Sequence, residues 1–147
     1  MELTFKKANN AKDIQAIYQH NIDVFSDTPD FEWSLGAIKS EVEDGWNLYG
    51  VYQGPEIVAA LFYKKDGKKL LTKNTAIKMN YQGSGYSHKM KEFFEQTAKK
   101  VGADELYHYC SIDNFRAYSL NESHGYKKTD KKLGDKGQVV EWVKKLK

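Results

Sequence analysis

The spacing of turn residues between Asn47 and Gly102 fixes the directions in which this chain can run. Three apolar stretches, Asn47 to Gln53, Ile57 to Lys64 and one that includes Leu70 and Leu71, are separated only by Gly54-Pro55 and Asp66-Gly67. Asp-Gly is a two-residue hairpin turn because both residues tolerate positive φ. Connections this short cannot cross back over a sheet, so the three stretches are antiparallel strands. The next connection is of another kind. After Ala76 and Ile77 comes the small-residue turn Gln82-Gly83-Ser84-Gly85-Tyr86-Ser87. Tyr86, Met90, Phe93, Phe94, Thr97 and Val101 then recur at helical spacing up to the stop signal Gly102. A connection that contains a helix makes the following strand, Asp104 to Ile112, parallel to the one before it, by a right-handed crossover.

The turn before that helix carries its own chemistry. Small residues between a strand end and a helix start let several backbone N–H groups point at one spot. The first helical turn leaves its amides unpaired at the positive end of the dipole. Such a place holds a pyrophosphate without a basic side chain. A turn that is Gly-rich only because it is tight reads the same way, and spacing alone leaves both readings open. No Gly-Lys-Ser/Thr follows, so this is not a P-loop, and the strand opens no run of βαβ units.

The remaining segments complete an order. Leu3 and Phe5 alternate with polar neighbours, as in a short first strand. Ile14, Ile17, Tyr18, Asn21, Ile22 and Phe25 trace one helical face, with Asp13 as its cap, until Ser26-Asp27-Thr28-Pro29-Asp30 breaks it. A second helix starts at Ser34, buries Leu35, Ile38 and Val42, and ends near Gly45. Asn114 caps a helix from Phe115 to Ser123, closed by Gly125. Two strands follow, Tyr126 to Lys132 and Gln138 to Lys144. The order β-α-α-β-β-β-α-β-α-β-β predicts an α/β (α+β) fold. Its sheet is mixed, mostly antiparallel and six- to seven-stranded, with helices on both faces. With no repeat or linker, residues 1–147 are expected to form one domain.

Composition removes several classes of function. The net charge of +3 comes from lysines interleaved with acids, and Arg116 is the only arginine. A nucleic-acid surface needs a concentrated basic face, so no nucleic-acid partner is expected. No apolar run approaches the roughly 18 residues of a membrane span, and Met1-Glu2-Leu3-Thr4 has no leader pattern. One cysteine, Cys110, rules out an internal disulfide and fits a reducing cytoplasm. His20, His88, His108 and His124 lie beside no second ligand at metal spacing, so no metal is expected.

Two motifs in this order resemble the GNAT superfamily of acyl-CoA-dependent N-acyltransferases. The family's Gln/Arg-x-x-Gly-x-Gly/Ala loop is matched by Gln82-Gly83-Ser84-Gly85-Tyr86-Ser87, with Ser87 standing where the loop has Gly or Ala. Its Asn-x-x-Ala-(seven residues)-Gly-Phe/Tyr motif is matched by Asn114, Ala117, Gly125 and Tyr126. At Asn121 the family usually has a tyrosine, which in many members protonates the leaving CoA thiolate. An amide cannot do this. Tyr118, one helical turn earlier, is the candidate in its place, its other reading being a packed helix residue.

The resemblance implies acetyl-CoA as acyl donor, an amine acceptor that attacks the thioester directly, and a set of residues for each. Backbone N–H groups around Ile77, Lys78 and Met79 hold the pantetheine and polarise the carbonyl. Amides of Gln82, Gly83, Ser84, Gly85, Tyr86, Ser87 and His88 take the pyrophosphate, and Asn114 bonds the pantetheine arm. Many relatives place a glutamate on the fourth strand, but Leu70-Leu71-Thr72-Lys73-Asn74-Thr75 holds no carboxylate. His108 and Tyr109 are the candidates for a base acting through water, their other reading being packed residues of the sheet. The acceptor segment contains Phe25, Asp27, Asp30, Phe31, Glu32 and Trp33, aromatics among acids that suit a cationic amine. An N-acetyltransferase is therefore the first expectation, and a non-catalytic acyl-CoA-binding module of the same fold the second. Val139, Val140 and Trp142 offer apolar positions through which the last strands can pair subunits in a homodimer.

Overall fold

The computed structural model describes residues 3–20, 34–77, 85–113, 115–134 and 136–146. Its elements follow the expected order: β1 (Thr4–Lys7), α1 (Ala11–His20), α2 (Leu35–Glu43), β2 (Asn47–Gln53), β3 (Glu56–Asp66), β4 (Lys69–Ile77), α3 (Tyr86–Lys100), β5 (Glu105–Ser111), α4 (Phe115–Ser123), β6 (Lys127–Leu133) and β7 (Val139–Lys145). The strands form one seven-stranded sheet in the order β1-β2-β3-β4-β5-β7-β6. The β4–β5 pair is parallel and every other pair is antiparallel.

Helix starts follow from local chemistry. The Ser34 hydroxyl accepts from Ala37 N at 3.1 Å and caps α2. At α1 the cap is Asn10 rather than the expected Asp13: Asn10 Oδ1 accepts from Asp13 N at 2.9 Å. Asp13 instead sits in the first turn and reaches back to accept from Asn9 N at 3.0 Å. The two short polar side chains share the open amides in the manner of a capping box. The predicted continuation of this helix to Phe25, and the aromatic–acidic segment through Trp33, lie outside the described residues.

The helices divide between the faces of the sheet. Met90, Phe94 and Ala98 of α3 pack with Leu61, Leu70, Leu106, Cys110, Val140 and Trp142, and Ala117 and Tyr118 of α4 join them. On the other face Ile14 and Ile17 of α1 and Ile38 of α2 pack on Leu48, Ala60 and Phe62. Strand β3 is covered on both sides, and Ile57 to Phe62 are all buried in a row. Strand β5 alternates instead: Leu106, His108 and Cys110 are buried toward α3, while Glu105, Tyr107, Tyr109 and Ser111 are half-buried on the opposite face. Because β7 inserts between β5 and β6, Val139, Val140 and Trp142 are buried within the chain's own packing.

Candidate active site

The centre of the sheet comes apart. Strands β4 and β5 pair from Lys69↔Glu105 to Thr72↔His108, and there the ladder ends. Strand β4 nevertheless continues beside β3 as far as Ile77↔Ala59, and β5 beside β7 as far as Ser111↔Val139. Both strands thus run on past their last shared pair, and a fork opens between them. An irregularity in β4 accompanies it. The three-residue step from Lys73 to Ala76 faces the two-residue step from Phe62 to Ala60. One extra residue on β4 bends the strand and increases its twist, as a β-bulge does.

Thr72 and His108 pin the base of the fork. The Thr72 hydroxyl donates to Tyr107 O at 2.7 Å, and its oxygen lies 3.1 Å from His108 Nδ1. With its single proton already used, Thr72 accepts from His108 Nδ1–H, which fixes where that imidazole carries its proton. His108 is only 3% exposed. Cys110 is likewise buried, in the cluster under α3.

Helix α3 begins near the mouth of the fork. Its N-cap, Gly85, has φ +81° and contributes no side chain to the first-turn amides. A Cβ built there meets nothing within 4 Å, so the position is open in space and glycine is demanded by backbone conformation. The Tyr86 hydroxyl donates to Gln53 Oε1 at 2.8 Å, tying the helix start to the end of β2. His88 Nδ1 lies 2.8 Å from His124 Nε2, one imidazole N–H donating to the other ring. Of the other residues expected to hold the acyl donor, Ile77 ends β4 and Ser87 lies in the first turn of α3. Lys78, Met79, Gln82, Gly83, Ser84 and Asn114 lie outside the described residues.

Tyr118 and Asn121 sit differently on α4. Tyr118 is half-buried, with its ring edge-on to Trp142 at 5.2 Å and to Phe115 at 5.7 Å. Burial raises its phenol above the ordinary value, with Cys110 and Asp113 adding to the effect. Asn121 is 0% exposed, and among the described residues neither of its side-chain polar atoms has a hydrogen-bond partner.

A carboxyl group that sequence reasoning missed lies on the opposite face. Glu141 of β7 is the register partner of Tyr109, and its Oε2 accepts from the Tyr109 hydroxyl at 2.9 Å. The other oxygen accepts from Thr129 Oγ1 at 3.1 Å. The only signal for it in the sequence is one acidic residue at an interior position of an apolar strand, Val139-Val140-Glu141-Trp142-Val143.

The fold as a whole has counterparts among solved structures. The ribosomal-protein-S18-alanine N-acetyltransferase of Escherichia coli superposes with a TM-score of 0.79 at 17% identity, covering 99% of this chain and 94% of its own. The fold is that of the GNAT acetyltransferases. An acetyltransferase from Bacillus subtilis, solved in complex with CoA, gives 0.76 at 17% identity and covers 99% of both chains. A GNAT family acetyltransferase from Elizabethkingia anophelis with acetyl-CoA bound gives 0.76 at 15% identity and 98% of both. By sequence the chain matches no family model and no curated protein.

Proposed function

We propose that this chain is a member of the GNAT superfamily that transfers an acetyl group from acetyl-CoA to a primary amine by direct attack. The observation that carries the reading is the fork: β4 and β5 continue past Thr72 and His108 without pairing to each other. A strand edge inside a sheet presents N–H and C=O groups that no neighbouring strand takes up. Fixed backbone donors of this kind, already oriented before reaction, are what a developing oxyanion needs. The open space at Gly85 and the first-turn amides of α3 suit a pyrophosphate.

In this reading the backbone of Ile77, Lys78 and Met79 holds the donor's amide-rich arm together with Asn114. Gln82 to His88 hold its phosphates. Bound there, acetyl-CoA supplies the thioester. Tyr118 is the residue proposed to return a proton to the thiolate, since a phenol kept protonated by burial is available as a donor. His108, buried and bonded to Thr72, serves the same site by holding the fork's base in one geometry.

The second reading is a binding module that keeps acyl-CoA without turnover. Asn121 favours it, because a fully buried amide stands where the resembling family has its proton-donating tyrosine. Calorimetric titration with acetyl-CoA, followed by thiol release over a panel of amines, separates the two. The enzyme reading expects binding and amine-dependent thiol release. Binding without release from any amine supports the module, and no binding at near-millimolar ligand overturns both.

A further inference from the structure

The fork has a second lining, on the face of the sheet that carries α1 and α2. Tyr109 is the first residue of β5 past the last β4–β5 pair, and it points away from His108, Cys110 and α3. Across the gap stands Lys73, the first residue of β4 past that pair, ion-paired to Glu41 at 2.9 Å and seated over the Trp46 ring at 4.2 Å. Behind Tyr109 lies Glu141, 8% exposed, with one hydroxyl donor on each oxygen and, among the described residues, no cation. Its neighbours along this face of β7 are Val139 and Val143, so an apolar side chain would have packed there without the cost of desolvating a carboxyl group. A buried carboxyl group bonded to a phenol at the opening of a sheet is a candidate functional site.

The hydrogen-bond directions say what this pair can receive. Tyr109 spends its only proton on Glu141, so its oxygen faces any newcomer as an acceptor. A primary amine entering the fork from this side is a donor. We propose that Tyr109 and Glu141 together take the proton from the acceptor amine, an inference that rests on the acetyltransferase reading above. The amine's N–H⁺ bond breaks as its proton passes to Tyr109 Oη, while the phenolic proton passes to Glu141 Oε2. The amine is left neutral with its lone pair, Tyr109 is unchanged, Glu141 holds one more proton, and nothing is oxidised or reduced. Tyr109 is the catalytic residue, because it touches the amine, and Glu141 is a positioning residue acting through it. Burial first, then the hydrogen bond to Glu141 and the charges of Glu141, Tyr107 and Asp66, hold the Tyr109 phenol well above its ordinary value. The phenolate therefore does not accumulate, and Tyr109 stays a phenol that hands on one proton as it receives another.

The test uses the full chain with ethylamine, benzylamine, putrescine and an alanine-initiated peptide, beside trifluoroethylamine, which is already neutral near pH 7. Glu141→Gln still accepts the Tyr109 hydrogen bond but cannot take the proton. It is expected to lower kcat for the ammonium-forming amines by about 10²-fold, with the affinity for acetyl-CoA unchanged. Turnover of trifluoroethylamine is expected to change less than tenfold. Tyr109→Phe is the second variant and should show the same split, and thermal melting confirms that both fold. Equal losses with trifluoroethylamine and with the other amines, or no loss, would overturn the pair while leaving an enzyme. Wild-type protein that binds acetyl-CoA yet releases no thiol with any amine would overturn both the pair and the enzyme reading, and only the donor site would stand. Wild-type protein that does not bind acetyl-CoA would remove the donor site as well.

Discussion

Strands β3 and β5 lie one strand apart in the same sheet, yet they are built on different rules. Strand β3 is covered by α3 on one side and by α1 and α2 on the other, so Ile57 to Phe62 form an unbroken buried run. Strand β5 keeps its apolar residues to the α3 side and gives Tyr107 and Tyr109 to the other, where Glu105 and Glu141 meet their hydroxyls. The same face of one sheet is thus a closed core at β3 and a hydrogen-bonding surface at β5. The fork falls between them. A sheet can open only where the strands on either side have other partners to hold them, and β3 and β7 supply those.

The comparison predicts where substitutions will be felt as stability and where as activity. The largest effect on folding belongs to β3: Phe62→Ala removes a fully buried ring and should cost about 3–5 kcal/mol in chemical denaturation. A loss under about 1 kcal/mol would mean that the α1/α2 face is loosely packed. Next comes the base of the fork. Thr72→Val keeps the shape but leaves His108 Nδ1–H and Tyr107 O each without the Thr72 partner, at an expected cost of about 1–3 kcal/mol. It should also weaken acetyl-CoA binding measured by calorimetry. Unchanged affinity would show that the fork keeps its shape without the pin. Smaller again is the cap of the helix that closes the β3 side: Ser34→Ala should cost about 1 kcal/mol and leave acetyl-CoA affinity alone.

Much of this organisation was legible in the sequence, because it rests on local constraints. The Asp66-Gly67 turn fixed an antiparallel pair, the helix behind Gly85 required a parallel one, and Ser34 announced its own helix. What stayed hidden depends on partners distant along the chain. Nothing near Glu141 says that β7 will slide between β5 and β6, and only that order sets Glu141 opposite Tyr109. Leu106, His108 and Cys110 share one parity of β5 and Tyr107 and Tyr109 the other, but which helices cover each face depends on how distant segments pack. Asp13 reads as the cap of α1 because it opens the apolar periodicity. Asn10 lies one turn earlier, where the amides need an acceptor, and the two share the task. Strand β4 holds no carboxylate in its sequence, and a carboxyl group placed two strands away by the order β4-β5-β7 leaves no trace in the order of residues.

The smallest effect concerns the seam between the two helices on the α3 side, His88 with His124. His124 is held below its ordinary value of 6.5, by burial first and then by His88, with Lys91 and Lys144 adding to it and Glu95 opposing. A histidine whose pKa is lowered on folding binds its proton more readily in the unfolded chain. Its contribution to stability is therefore present above pH 6.5 and is lost as the pH falls from there toward the lower folded value. Denaturation midpoints taken stepwise from pH 7.5 down to pH 5 (on the order of the window set by the ordinary imidazole value) should drop for the wild type and drop less for His124→Gln. Since His88 lies in the first turn of α3, loosening the seam at low pH should also reach the amides proposed for the pyrophosphate. Acetyl-CoA affinity that falls with pH in the wild type but not in His124→Gln would tie the seam to the donor site, whereas parallel pH profiles would confine its role to packing.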